Sequence, residues 1–137
     1  VVALLDDLER LEQLAVLILE LQQMSAKGAL IVVEGKRDRK VLRALGITGP
    51  IKLGTKKSIL VFCEDIAREY NNIIILTDWD EKGDKLASLM EGYLRSTSAA
   101  VNMDIRKKIK NLVQKRIKDI ESLDTHISNL RFNLNHF

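Results

Sequence analysis

The chain has 137 residues, 46% of them hydrophobic and 30% charged, with a single proline. An apolar fraction this high excludes a wholly disordered chain, which could not offset its ordering entropy, and the length suits one folded domain. Twenty-two Lys and Arg against nineteen Asp and Glu leave a net charge of only +3, a balance that hides an acidic start and a basic stretch near the end.

Residues 1–23 place Leu4, Leu8, Leu11, Ala15 and Ile18 at three- and four-residue spacing among Asp6, Asp7, Glu9 and Glu20, which predicts an acidic amphipathic helix. Its densest apolar stretch, residues 14–21, is far shorter than the ~20 residues that a bilayer span needs, so no membrane helix is expected. Acids rather than a basic n-region stand at the start, so no secretory signal is read and a cytoplasmic location is expected.

After a break at 25–28, residues 29–33 form a short β-branched run that predicts a buried strand ending at Glu34-Gly35. A helix should follow from about Asp38, with Asp38 as its N-cap, Val41, Leu42 and Leu45 inward, and Gly46 with Gly49-Pro50 as its stop. Ile51 to Leu53 reads as a second strand, and Ser58 as the cap of a helix through Ile59, Phe62, Cys63, Ile66 and Ala67. Cys63, the only cysteine, has no internal disulfide partner and reads as a buried thiol.

Residues 73–76, four consecutive branched aliphatics, predict a central parallel strand covered on both faces and ending in Thr77-Asp78-Trp79-Asp80. Residues 82–95 predict a helix with Leu86, Leu89, Met90 and Tyr93 inward, and 99–103 a fourth strand before Asp104 caps a long final helix. That helix would run to about Leu134 on a heptad track of Ile109, Val113, Ile120, Leu123, Ile127, Leu130 and Leu134, with a break near 123–125. Its first half carries seven basic side chains from Arg106 to Lys118, which read as following a nucleic-acid backbone or as a solvated face pairing with the acidic first helix.

Strands alternating with helices imply an α/β three-layer, Rossmann-like core around a mostly parallel four-stranded sheet, joined by right-handed crossovers. The expected organisation is an N-terminal amphipathic helix (1–24), an α/β core (25–104) and a basic C-terminal helical extension (105–137) within one compact domain.

In such sheets ligands bind beyond the carboxyl ends of the strands. Glu34 closes the first predicted strand, and Asp78 with Asp80 the third, so adjacency of those strands would bring three carboxylates together. Two such charges ~4 Å apart repel by about 4 kcal/mol at an effective dielectric near 20, which calls for protons or a cation. Oxygen donors without a nearby Cys or His, since His126 and His136 lie far along the chain, point to a hard ion, Mg²⁺ or its substitute Mn²⁺. An extended Asp78-x-Asp80 sends both acids to one side and Trp79 to the other, where packing against a neighbouring helix is a better use of the indole than stacking a base.

The run Ile31-Val32-Val33-Glu34-Gly35 together with Ile75-Leu76-Thr77-Asp78-Trp79-Asp80-Glu81-Lys82-Gly83 resembles the Toprim domain shared by topoisomerases, bacterial-type primases and a ribosomal-RNA-maturing ribonuclease. The resemblance covers roughly residues 29–104 and is nearest to the small stand-alone Toprim proteins of prokaryotes. It implies Glu34 as general acid or base or as a metal ligand, Asp78 and Asp80 as Mg²⁺ ligands, and Asp84 as an outer-shell ligand. Glu81 stands where single-strand topoisomerases often carry Arg, and the chain has room for neither a DNA-gate domain nor the zinc and helicase-contacting parts of a primase.

Lys36, Arg37, Lys56, Lys57 and Lys82 lie near the predicted strand ends and are the candidate contacts to substrate phosphate. The leading expectation is Mg²⁺-dependent phosphotransfer on nucleic acid by a small nuclease, with Glu34, Asp78 and Asp80 catalytic. One alternative is a non-catalytic module that binds nucleic acid or a nucleotide within a larger RNA-processing, replication or repair assembly. Another is an adaptor whose terminal helices form a homodimer or hold a protein partner. The sequence leaves DNA against RNA open, although only 4% aromatic residues argue against a stacking platform for single strands.

Overall fold

The computed structural model describes residues 2–54 and 58–135. Along them run α1 (Val2–Ala26), β1 (Leu30–Val33), α2 (Lys36–Ala44), β2 (Ile51–Leu53), α3 (Ile59–Glu69), β3 (Asn72–Ile75), α4 (Glu81–Arg95), β4 (Ala100–Asn102), α5 (Asp104–Val113) and α6 (Leu123–Asn135). The four strands form one sheet in the order β2-β1-β3-β4, every pair parallel, with Ile31 opposite both Ile51 and Ile74, and Ile73 opposite Val101.

Alternation along β1 and β3 divides the core in two. Leu30, Val32, Ile73 and Ile75 face Cys63 and Ile66 of α3 and Ala87, Met90 and Leu94 of α4. Ile31, Val33, Ile74 and Leu76 face the other way, toward Leu42 of α2, Leu14 and Leu21 of α1, Ile109 of α5 and Leu130 of α6. The three-layer α/β expectation is met, and continuous aliphatic strands are what a sheet covered on both faces requires. Cys63 is buried, and burial pushes its thiol up to about 11.

Local details depart from the sequence reading. α2 starts at Lys36, so Asp38 is not its N-cap; it sits in the first turn, where its Oδ2 accepts the Gly35 N–H at 3.0 Å. Asp104 does not cap α5 either, because Asn102 Oδ1 accepts the N–H groups of Asp104 and Ile105 at 3.0 and 3.2 Å. The inward stripes of α1 and α4 are rotated from those expected: Leu14, Leu17, Leu21, Ala87 and Leu94 are buried, while Leu8 and Leu89 are exposed. Both helices carry apolar residues around much of their circumference, so spacing alone does not set the phase of the buried face.

The long final helix is two helices. Trp79 N–H and its indole Nε1–H donate to the carbonyls of Lys118 (3.0 Å) and Ile117 (2.7 Å), acceptors that a continuing helix would commit to its own amides. Ser122 N–H instead bonds Asp119 Oδ1 at 2.8 Å, in the turn that precedes α6. The heptad residues Ile109, Val113, Ile120, Leu123, Ile127 and Leu130 are buried all the same, because α5 and α6 fold back against α1. Among the described residues no helix is long and apolar enough to cross a membrane.

Candidate functional site

From β1 the chain passes to β2 on one side and then returns across β1 to β3, so the carboxyl ends of β1 and β3 flank the point where the winding reverses. Such a point leaves a crevice between diverging connections, with helix N-termini opening onto it. Here those helices are α2 and α4, whose first turns follow Glu34-Gly35 and Asp80.

Adjacent strands bring Glu34 and Asp78 together across 44 positions of sequence: Glu34 Oε2 accepts the Asp78 N–H at 2.8 Å, and the two carboxyl groups are themselves in hydrogen-bond contact. Asp78 Oδ1 also accepts the Ile120 N–H, at 3.2 Å. Burial chiefly, then the charges of Asp38 and Glu34 and the hydrogen bond that the protonated Asp78 carboxyl donates to Glu34, push the Asp78 carboxyl from the ordinary 3.8 up to about 7, against the lowering by Ile120 N–H. Asp38 is buried beside this pair. Its carboxyl is raised by burial, and further by Glu34, Asp119 and Glu121, against the Gly35 N–H.

The β3–α4 turn that carries Asp78 is tightly built. Asp80 is the N-cap of α4, its Oδ1 accepting the Gly83 N–H at 2.7 Å, and Thr77 Oγ1 donates to the Gly83 carbonyl at 2.9 Å. A Cβ at Gly83 would run into the Asp78 carbonyl, so only glycine fits this approach. Trp79 is 3% exposed, held by the two carbonyls of the α5–α6 connection, which agrees with packing rather than base stacking. Asp78 thus turns to Glu34 while exposed Asp80 serves its own helix.

Asp84 lies elsewhere in the network. Its Oδ1 accepts from Arg106 Nη2 at 2.7 Å and its Oδ2 from Lys110 Nζ at 3.0 Å. Burial acts to raise its carboxyl, but the hydrogen bonds and charges of these two cations hold it below the ordinary carboxylate value. Lys36 and Arg37 are exposed on the first turn of α2, Arg37 reaching Glu121 at 3.5 Å, and Lys82 is exposed on the first turn of α4. Lys56 and Lys57 lie outside the described residues.

Asp38, which the sequence favours as a cap over a ligand, stands beside the pair instead, and the backbone of the α5–α6 connection carries no side-chain signal in the sequence. Arg106, assigned to a basic face, is only 7% exposed. Its signal was present in the spacing, since it stands three residues before Ile109 and seven before Val113, on the apolar stripe itself.

The donor set fits a hard divalent cation. It consists of carboxylate oxygens, and the close Glu34–Asp78 contact is unfavourable when both are ionised unless a positive charge joins them. Among the described residues no group of three or more His, Cys, Asp or Glu side chains is placed to hold a metal ion, so the expected three-carboxylate convergence of Glu34, Asp78 and Asp80 is not formed. Two carboxylates are what the site offers, and Mg²⁺ takes one or two carboxylates with several waters and substrate phosphate.

A model of the Toprim domain matches residues 29–121, reaching past Asp104 to include α5 and the connection that follows it. A UPF0292 protein of Methanosarcina barkeri is 47% identical over 123 residues, covering 90% of this chain and 86% of that one. One from Methanocaldococcus jannaschii is 34% identical over 125 residues, covering 90% and 97%. The solved structure of a protein from Aquifex aeolicus superposes with a TM-score of 0.69 at 27% identity, over 80% of this chain and 97% of that one.

Proposed function

Because the chain belongs to the Toprim domain family, whose members process nucleic acid with a bound metal ion, we propose that it is a small Mg²⁺-dependent nuclease working at the ends of β1 and β3. The observation that supports this most is the Glu34–Asp78 contact, two carboxyl groups meeting at the reversal point of a parallel sheet.

In this reading Glu34 and Asp78 hold the ion, while Asp80 keeps its capping bond to Gly83. Asp84 is left out of the ligand set, since its oxygens serve Arg106 and Lys110. A bound Mg²⁺ supplies polarisation of the scissile phosphate and a lowered pKa for a coordinated water. Glu34, the group to which the Toprim resemblance gives the acid–base role, would accept and return a proton during phosphoryl transfer. Lys36, Arg37 and Lys82 on the opening turns of α2 and α4 neutralise substrate phosphate, assisted by the N–H groups of those turns.

The test is cleavage of end-labelled DNA and RNA with and without Mg²⁺. Cleavage of at least one substrate is expected only with the ion, and Asp78→Asn is expected to abolish it while leaving the circular dichroism spectrum unchanged. Undiminished metal-dependent cleavage by that variant would contradict the assignment.

A further inference from the structure

We infer that Arg106 is a positioning residue for the Glu34–Asp78 pair: its buried guanidinium ties down the backbone at the end of β3 and so aims the Asp78 carboxylate. The inference rests on the reading of that pair as the cation site.

Arg106 reaches the strand end from the first turn of α5. Its Nε donates to the Thr77 carbonyl at 2.9 Å, and its Nη2 donates to the Asp78 carbonyl at 2.6 Å and to Asp84 Oδ1 at 2.7 Å. Successive carbonyls of an extended strand point to opposite sides. Both reach one guanidinium here, so the chain has turned between Thr77 and Asp78, and the same turn delivers the Asp78 N–H to Glu34 Oε2 and its Oδ1 to the Ile120 N–H.

Burying this charge is costly unless its donors are bonded and a countercharge is close. Asp84 is that countercharge, which accounts for an acid facing away from the carboxylate pair. A buried ion pair contributes little net stability compared with apolar packing of similar volume. What a guanidinium adds is a rigid planar fork that spans several acceptors at fixed angles, which the single ammonium of lysine cannot do. Arg106 touches neither substrate nor ion in this account; it acts through Asp78.

The experiment compares the wild-type chain with Arg106→Lys, which keeps the charge but not the fork. Amide hydrogen exchange is measured by NMR without metal, followed by titration with Mn²⁺. The Asp78 and Ile120 amides are expected to exchange roughly tenfold faster or more in the variant, while those of Ile31, Val32 and Ile74 keep wild-type rates. Apparent Mn²⁺ affinity is expected to fall roughly tenfold, the usual size of an effect transmitted through a ligand's support. Wild-type protection at Asp78 and Ile120, or a parallel loss at every core amide, would overturn the inference, the second showing general stabilisation only. Should Arg106→Lys not fold, Asp84→Ala at a partly exposed position makes the same comparison: a smaller loss confined to the same two amides supports the role, and unchanged rates overturn it. Failure of the wild-type protein to bind Mn²⁺ would instead remove the functional reading, because the metal-free exchange rates decide the role of Arg106 separately.

Discussion

Asp78 is held from three directions: its N–H by Glu34, its carbonyl by Arg106 and its carboxylate by the Ile120 N–H. Held this way beside Asp38 and Glu34, its carboxyl is raised to about 7 from the 3.8 of an unfolded chain. The stability this group contributes is therefore fully present below the unfolded value and is lost as pH rises through about 7, where ionisation must occur against burial and two acids. A cation that binds the ionised pair reverses that loss. Mg²⁺ is expected to raise the thermal midpoint clearly at about pH 8 and little at about pH 5, measured by differential scanning fluorimetry. Equal shifts at both pH values, or the same shifts in Asp78→Asn, would contradict this account of the residue. Glu34 and Asp78 were legible because each follows an aliphatic strand directly. Asp84 was not, since the cations that engage it stand 22 and 26 positions later, on an element whose docking no local pattern specifies.

At the scale of elements, α5 and α6 show how a correct periodicity led to a wrong shape. The apolar track was real and is buried, yet α5 ends at Val113, and Trp79 takes the carbonyls of Ile117 and Lys118 that a helix running on would need. Propensity could not reveal this, because the competing donors come from 38 and 39 positions upstream. The α6 that results brings His126 inward, 7% exposed, with a buried Nε2 that has no hydrogen-bond partner. Burial first, then the charges of Arg116 and Arg10, push its imidazole below the ordinary 6.5, against Asp7, which salt-bridges both arginines. The folded state binds this proton less readily than the unfolded chain, so stability is present above the unfolded value and declines as pH falls through the depressed one. The urea midpoint of the wild-type chain relative to His126→Phe should fall between about pH 7 and about pH 5. A difference between the two proteins that does not vary with pH would show that His126 carries no such linkage.

Across the whole molecule, the sheet order is what turns two distant motifs into a site. Alternating elements made the α/β class legible, and continuous aliphatic runs marked β1 and β3 as central. Their adjacency, the condition on which the meeting of the two motifs depends, is shown by the register of Ile31 against Ile74, with β2 outside β1. The charge pattern was only half legible. Asp7 does meet Arg116 across α1 and the α5–α6 connection, but Arg106 and Lys110 turn inward to Asp84 rather than outward to solvent or nucleic acid. The central claim, that Glu34 and Asp78 share one divalent cation, is tested most directly by titrating the full chain with Mn²⁺ and following free ion by electron paramagnetic resonance. Wild-type protein is predicted to sequester one Mn²⁺ per chain in competition with Mg²⁺, and Glu34→Gln and Asp78→Asn each to lose that binding while remaining folded. Retention of wild-type Mn²⁺ binding by both variants would contradict the claim.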